Sequence, residues 1–238
     1  MNTPSLDQVK QVFEQWSLYD AIIQHNYMRH AELVDRLKQS VNDLPKPFDI
    51  LDLGCGDSWI SEHIFPSEMV HHYHGIDLSE AALNKADSQL AAWRGRTQFT
   101  CGDINTFLSE AATESCSIIL MSYSLHHLSS EQKRQVFHSA HRVLRQDGHL
   151  LWIDLFRQDQ EDRDTYLHRL CNHIRTDWTA LTPEQNRQAV DHVNASDFPE
   201  SEGWMQTETK QAGLSLSRCI YQDVYFGAWD YQKSASET

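Results

Sequence analysis

Strand-like runs alternate with helix-like stretches along the middle of the chain. Phe48, Ile50, Leu51 and Leu53 make a short apolar run, and residues 117–121 make a continuous one. Such runs are typical of strands buried on both faces of a parallel sheet. Further strands are predicted at 69–76, 97–101 and 149–156, and the segments between them carry apolar residues at helical spacing. Strands that alternate with helices in this way predict an α/β fold with a doubly wound sheet.

Helical periodicity continues on both sides of this alternating region. Residues 5–40 predict two helices, and Pro45 and Pro47 end the second one before the first strand. After the fifth strand, residues 157–203 are more polar and predict helices, one of which begins at Thr182 and Pro183. The other has a single apolar stripe, whose members are Tyr166, Leu167, Leu170, Ile174 and Trp178.

The last part of the chain has the pattern of a helix followed by two strands. Residues 201–212 predict a helix that stops at Gly213. Apolar and polar residues then alternate over 214–221 and 224–231, which predicts two strands. At 238 residues and without an internal repeat, the chain is predicted to form one domain.

Charge and cysteine usage narrow the possible classes of function. The formal net charge is −14 and Lys and Arg form no cluster, so we expect no nucleic-acid partner. No run approaches the ~18 apolar residues of a membrane span, and the N-terminus lacks a signal-peptide pattern, so no membrane partner is expected. The cysteines have no C-x-x-C spacing and predict neither a zinc site nor a disulfide framework. Scattered cysteines favour a reducing, cytoplasmic location; they are Cys55, Cys101, Cys116, Cys171 and Cys219.

A glycine turn follows the first strand, in the stretch FDILDLGCGDS from Phe48 to Ser58. Gly54 and Gly56 permit positive φ and let a ligand approach the backbone, and a helix is predicted to begin near Trp59 with Asp57 or Ser58 as its cap. Strand, glycine turn and helix form the opening unit of a nucleotide-binding Rossmann fold. A carboxylate at this helix terminus would repel a pyrophosphate, which disfavours NAD and favours a ligand with a positive centre.

The segment ILDLGCG, which contains Asp52 and Cys55, closely resembles the first motif of class I S-adenosylmethionine (SAM)-dependent methyltransferases. The family often has a third glycine where this chain has Ser58. The segment GIDLSEAAL resembles the second motif, in which the acid, here Asp77, accepts hydrogen bonds from the ribose and the next residue, here Leu78, packs on adenine. The alternative is that Asp77 only caps the helix that follows it.

Two further segments continue the resemblance. GDI resembles the third motif, where Asp103 would bind the adenine amino group and Ile104 would cover the ring; the alternative is that the acid only caps a helix over 105–112. After the fourth strand, LHHL looks like many small-molecule methyltransferases, in which the preceding backbone holds the methionine ammonium. The resemblance assigns that role to Ser122 and Tyr123.

The resemblance implies a Rossmann-like, doubly wound, seven-stranded sheet with an antiparallel C-terminal hairpin. It divides the single domain into N-terminal helices over 1–45, a SAM-binding core over 46–156, a helical cap insertion over 157–203, and a last helix with the hairpin over 204–238. SAM is the implied cofactor and S-adenosylhomocysteine the product. The residues expected to bind the cofactor are Tyr19, Asp52, Gly54, Cys55, Gly56, Asp77, Leu78, Asp103, Ile104, Ser122 and Tyr123.

The acceptor pocket is expected between the N-terminal helices, the loop after the fourth strand and the cap. Its predicted residues are Trp16, Tyr27, Arg29, His126, Tyr166 and Phe198. His126 is the first candidate for a catalytic base because an imidazole titrates near neutral pH, and His127 and Asp154 are further candidates. The competing interpretation is that His126 only packs in its loop.

We expect no metal site. His126 and His127 are adjacent on a loop, which is not the spacing of zinc ligands, and His71, His72 and His74 alternate along a strand. The preferred function is therefore methyl transfer from SAM to a small molecule by in-line displacement. A SAM-binding regulatory module without catalysis and, less favoured, an NAD-dependent oxidoreductase are the alternatives; the oligomeric state and the acceptor atom stay open.

Overall fold

The computed structural model describes residues 16–234, with side chains from Ser17 onward. The part of the helical region predicted over 5–40 that precedes Trp16 lies outside the described residues, as does the side chain of Trp16 itself. The helices are α1 (Trp16–Gln24), α2 (His30–Asn42), α3 (Trp59–Ile64), α4 (Glu80–Gln89), α5 (Ile104–Glu110), α6 (Ser130–Val143), α7 (Arg163–Asp177), α8 (Pro183–Ser196) and α9 (Glu202–Gln211). The strands are β1 (Phe48–Leu53), β2 (Val70–Asp77), β3 (Thr97–Cys101), β4 (Cys116–Ser122), β5 (Leu144–Arg157), β6 (Glu200–Ser201), β7 (Leu214–Gln222) and β8 (Phe226–Lys233).

The sheet has the predicted doubly wound arrangement. Its order is β3-β2-β1-β4-β5-β8-β7, with β1 to β5 parallel and β8 antiparallel to both β5 and β7. The short strand β6 adds an eighth member by pairing with the end of β5. The chain order reverses between β1 and β4, and open α/β sheets bind their ligands beyond the carboxyl ends of the strands at such a point.

Alternate residues of the central strands face two separate cores, as a sheet covered on both faces requires. Leu51 of β1 packs with Ile119 of β4 under α5, α6 and α9. Ile50 of β1 packs with Ile118 of β4 under α2 and α3. This explains why adjacent positions of these strands, such as Ile50 and Leu51, are both apolar.

The fifth strand is longer than predicted. It was expected over 149–156, but β5 already begins at Leu144 and includes Asp147 and Gly148. Leu144 pairs with Cys116 and His149 pairs with Ile118, so the residues between them form a bulge inside β5. Asp147 has a φ of 60°, which gives the backbone its local reversal without ending the strand.

A third apolar cluster lies beyond the two cores. It is made by α1, α7 and α8 together with the ends of β5 and β8, and includes Leu18, Leu170, Ile174, Val193 and Phe226. The helix α8 begins at the predicted position, where Thr182 and Gln185 form a reciprocal capping box. Within residues 16–234, none of the helices combines the length and the apolar character that crossing a membrane would need.

Candidate active site

The glycine turn after β1 is held against the tip of β2. The backbone N–H groups of Gly54 and Cys55 both donate to the carbonyl oxygen of Ile76, at 2.8 and 3.0 Å. Gly54 has a φ of 74°, and a Cβ there would lie 2.4 Å from the Cβ of Ser124. Glycine is therefore required at position 54 by both backbone conformation and space.

Ser58 occupies the position of the family's third glycine, and its backbone keeps the left-handed conformation with a φ of 61°. Its hydroxyl makes no cap bond, contrary to the expectation, and hydrogen-bonds with the Tyr73 hydroxyl at 2.7 Å. The cap contact comes from Asp57, whose carboxylate accepts the Trp59 N–H at 3.2 Å and the Tyr19 hydroxyl at 3.3 Å. The buried bond to Tyr73 offsets part of the conformational cost of a serine at this position.

Asp52 is a buried carboxylate at the end of β1. Its Oδ2 atom accepts hydrogen bonds from the hydroxyls of Ser61 at 2.6 Å and Tyr73 at 2.7 Å. Its Oδ1 atom has no hydrogen-bond partner among the described residues, although it is buried. Burial raises the pKa of Asp52 to about 6, against the opposing effect of the two hydroxyls.

Asp77 and Asp103 stand at the ends of β2 and β3. Asp77 accepts the Gly56 N–H through Oδ2 and the Ser79 N–H through Oδ1, both at 2.8 Å. Ser79 itself caps α4, so the helix-cap explanation for Asp77 is not needed. Asp103 does cap α5, because its Oδ1 atom accepts the N–H of Thr106 at 2.8 Å. Its role toward adenine stays a prediction that uses the remaining oxygen.

A cavity of about 230 Å³ lies along the carboxyl edge of the central strands. The structure brings together at its wall all eleven residues predicted to bind the cofactor, namely Tyr19, Asp52, Gly54, Cys55, Gly56, Asp77, Leu78, Asp103, Ile104, Ser122 and Tyr123. The cavity continues under the third apolar cluster, where its wall includes Leu18, Ile22, Met28, Leu170, Ile174 and Val193.

Most residues predicted for the acceptor pocket are not at this wall. Tyr27 stacks on Trp178 with ring centroids 4.9 Å apart, and Arg29 binds Asp223 at 3.0 Å. Tyr166 is buried and donates its hydroxyl hydrogen to the carbonyl oxygen of Tyr225. These side chains are held by contacts inside and around the third apolar cluster.

Phe198 is likewise absent from the cavity wall. Its ring lies 4.6 Å from the guanidinium carbon of Arg163, and its backbone N–H donates to the carbonyl oxygen of His126. Of the predicted acceptor residues whose side chains are described, His126 alone reaches the cavity. The periodicity of aromatic residues correctly indicated burial in the cap but not which neighbours they contact.

His126 is fixed by a buried carboxylate. Its Nδ1 atom hydrogen-bonds with Asp154 Oδ1, and its backbone N–H donates to Asp154 Oδ2 at 3.1 Å. Asp154 is 1% exposed and does not reach the cavity wall, so its contact with any substrate runs through His126. Burial on its own would lower the pKa of His126, but the charges of Asp154 and Asp197 raise it above its usual value.

Asp197 is a site residue that the sequence did not suggest. It follows α8, is 2% exposed, and places its Oδ1 atom 3.7 Å from His126 Nε2, 3.5 Å from His127 Nδ1 and 3.6 Å from His192 Nε2. Burial raises the pKa of Asp197 and lowers that of His127 well below its usual value. All four side chains line the cavity, and we call them the histidine cluster.

His30 is a second residue that sequence reasoning missed. It begins α2 and lines the cavity beside Trp59 and Tyr123, with ring centroids 5.5 Å from each. Its Nδ1 atom is buried without a hydrogen-bond partner among the described residues, and burial lowers the pKa of His30 to about 4. The apolar stripe of α2 was the available signal in the sequence. A histidine on the apolar face of a helix is predicted to be a buried polar group, which makes it a candidate site residue.

Comparisons with known proteins agree with this geometry. Residues 50–148 match the model of the methyltransferase domain family. A protein of Bacillus cytotoxicus named an uncharacterized methyltransferase is 24% identical over 217 residues, which cover 84% of this chain and 97% of that protein.

Solved structures share the fold at low sequence identity. The 1,6-didemethyltoxoflavin-N1-methyltransferase of Burkholderia thailandensis, solved with 1,6-didemethyltoxoflavin and S-adenosylhomocysteine, has a TM-score of 0.64 at 14% identity, covering 99% of this chain and 93% of that one. An O-methyltransferase family protein of the same organism has a TM-score of 0.65 at 15% identity, covering 92% of this chain and 59% of that one. The match over residues 50–148 shows a methyltransferase domain in this chain. It agrees with the motifs at the tips of the first three strands, which resemble those of class I SAM-dependent methyltransferases, and SAM is the cofactor that this domain implies.

Proposed function

We propose that this methyltransferase transfers the methyl group of SAM to a small, largely apolar acceptor that carries one polar group. One observation supports this most directly: a single cavity extends from the glycine turn to an aliphatic wall under α1, α7 and α8. The aliphatic part is suited to an apolar molecule, and the histidine cluster provides polar groups beside it.

The chain's own residues fit SAM at the glycine turn. Gly56 leaves open space, since a Cβ there would meet no atom within 4 Å. The carboxylates of Asp52, Asp57 and Asp77 line this part of the cavity, and Asp52 Oδ1 lacks a hydrogen-bond partner among the described residues. Three acids suit a ligand with an ammonium, a sulfonium and ribose hydroxyls, and they disfavour a pyrophosphate.

Bound SAM would supply an electrophilic methyl carbon, and the residues around it would position the acceptor. Holding donor and acceptor in contact can contribute roughly 7–11 kcal/mol to the rate. The aliphatic residues would exclude water that would otherwise compete for the methyl group. An acceptor that carries a proton would lose it at the histidine cluster, where His126 is oriented by Asp154.

Several features support a small molecule over a macromolecule as the acceptor. The formal net charge of −14 is unfavourable for a nucleic-acid backbone. The similar enzyme of Burkholderia thailandensis was solved with a small molecule, 1,6-didemethyltoxoflavin, as its ligand.

The cysteines bear on the cellular location. All five are free thiols, which supports the predicted cytoplasmic location.

The test is a screen of small apolar alcohols, thiols, phenols and amines with SAM, measuring formation of S-adenosylhomocysteine. We expect turnover with at least one class, and His126→Asn should lower it at least about a hundredfold, within the range of a lost acid–base contact. SAM affinity, measured by calorimetry, should be unchanged in that variant. Normal turnover of His126→Asn at all pH values would eliminate a role for this side chain in catalysis, and methylation of protein or RNA alone would overturn the proposed acceptor class.

A further inference from the structure

We propose that the histidine cluster is a binding site for a divalent transition-metal ion such as Zn²⁺. The cluster consists of His126, His127, His192 and Asp197. Each of His126, His127 and Asp197 offers one ligand atom within 4.8 Å of the other two, and all three side chains are buried. The fourth member, His192, approaches from α8 and has a side chain that is 16% exposed.

The spacing around Asp197 is that of ligands around an ion. Three imidazole nitrogens lie 3.5–3.7 Å from its Oδ1 atom, which has no hydrogen-bond partner among the described residues. The nitrogen of His127 is Nδ1, which donates to the carbonyl oxygen of Ser196 at 3.2 Å and would exchange that hydrogen bond for the ion. In a tetrahedral zinc site with metal–ligand bonds near 2.1 Å, neighbouring ligand atoms lie about 3.4 Å apart. A buried carboxylate oxygen without a hydrogen bond is costly, and a cation held between it and the three imidazoles would offset that cost.

A second layer of contacts prepares His126 for this role. The bond from Nδ1 to Asp154 fixes the tautomer that leaves the lone pair on Nε2, the nitrogen that faces Asp197. Carboxylate–histidine–metal arrangements of this kind are usual in metal sites. By contrast, the strand histidines do not converge: His71 binds Asp49 and His74 binds Thr100.

The donor set indicates the class of ion. Imidazole nitrogens with a single carboxylate suit Zn²⁺, Fe²⁺, Ni²⁺ or Cu²⁺, whereas Mg²⁺ and Ca²⁺ prefer oxygen ligands. The sequence expectation of no metal depended on spacing along the chain. That spacing could not include Asp197 and His192, which reach the loop only through the packing of α8.

This inference deepens the proposed function, because the cluster borders the part of the cavity assigned to the acceptor. A coordinated hydroxyl or thiol loses its proton at lower pH than a free one, so the ion would do what a base at His126 does. With the ion bound, the lone pair on His126 Nε2 would be a ligand; in the metal-free protein the same lone pair would act as the base of the proposed function.

The experiment measures metal binding without reference to turnover. The full chain is treated with a chelator, the chelator is removed, and Zn²⁺ is titrated by calorimetry with the metal content confirmed by elemental analysis. We expect one bound equivalent in the wild type. Asp197→Asn and His192→Gln should each weaken binding at least a hundredfold, and Asp154→Asn should weaken it roughly 10–100-fold. Co²⁺ in place of Zn²⁺ should give visible absorption that is lost in the same variants.

His149→Gln is the matched control, because it removes an imidazole from a buried pair with Asp230 elsewhere in the fold. That variant should bind Zn²⁺ as the wild type does. Binding of S-adenosylhomocysteine by every variant reports that the cofactor site is folded. Absence of stoichiometric Zn²⁺ binding, or binding that survives Asp197→Asn and His192→Gln alike, overturns the proposed site. If Zn²⁺ does not bind but a small molecule is methylated, the metal inference fails while the proposed function stands. If Zn²⁺ binds but only macromolecules are methylated, the proposed function fails while the metal site stands.

Discussion

Asp77 accepts a hydrogen bond from the backbone N–H of Gly56 across 2.8 Å. This bond joins the acid at the tip of β2 to the glycine turn that follows β1. The second oxygen of the same carboxylate accepts the N–H of Ser79 at the start of α4. The carboxylate is thus oriented by backbone groups on two sides, and its remaining lone pairs are available at the cavity wall.

Removing this carboxylate should weaken cofactor binding with the fold intact. A lost hydrogen bond to a charged group costs about 1.5–3 kcal/mol. We therefore expect Asp77→Ala to reduce the affinity for SAM and for S-adenosylhomocysteine at least about tenfold, since 1.4 kcal/mol is tenfold. Calorimetric titration measures both ligands.

Asp87→Ala is the comparison variant, because Asp87 is an exposed acid on the neighbouring helix α4. It changes the net charge equally and should leave the affinity unchanged. Equal affinities of Asp77→Ala and Asp87→Ala would remove the ribose role from Asp77.

The parts of the site predicted from the sequence are those that depend on neighbouring residues in the chain. The glycine turn, Asp77 and Asp103 are each within a few residues of a strand end, so a strand prediction also places them at the carboxyl edge. Ser58 shows why a motif can survive a substitution: its backbone keeps the left-handed conformation of a glycine, and its hydroxyl gains a buried bond to Tyr73.

The acceptor side could not be predicted in the same way. Tyr27 and Tyr166 were expected at the pocket, but both hydroxyls are held by backbone groups, and aliphatic residues such as Ile174 line the wall instead. Helical periodicity indicates that a side chain is buried, but it does not indicate which residues that side chain contacts. Asp197 comes after α8 with no local signal, and it reaches His126 only through the packing of the cap.

Gly54 should be more sensitive to substitution than a glycine with the same backbone conformation in open space. A non-glycine residue with left-handed φ costs roughly 1–2 kcal/mol, and overpacking adds roughly 1–3 kcal/mol. A Cβ at Gly54 would meet Ser124, whereas one at Gly95, whose φ is 86°, would meet nothing within 4 Å. We expect urea unfolding to show a larger loss in the free energy of unfolding for Gly54→Ala than for Gly95→Ala. Equal losses would mean that the close approach to Ser124 relaxes at no cost.

The last prediction concerns the stability of the folded chain at acidic pH. Burial lowers the pKa of His30 to about 4, whereas an unfolded histidine titrates near 6.5. Between these values the unfolded state binds the proton and the folded state does not, so the free energy of unfolding falls as the pH falls from about 7 to about 4. A difference of about 2.5 between the two pKa values corresponds to about 3 kcal/mol.

The variant His30→Leu tests this prediction, because it removes the titrating group and places an apolar side chain beside Trp59 and Tyr123. We therefore expect the stability of His30→Leu relative to the wild type to rise by about this amount between pH 7 and pH 4, measured by urea unfolding at each pH. Other acids and histidines titrate in both proteins and cancel in the difference. If the difference in the free energy of unfolding between the two proteins does not change with pH, the pKa of His30 is the same in the folded and unfolded states, and this prediction is wrong.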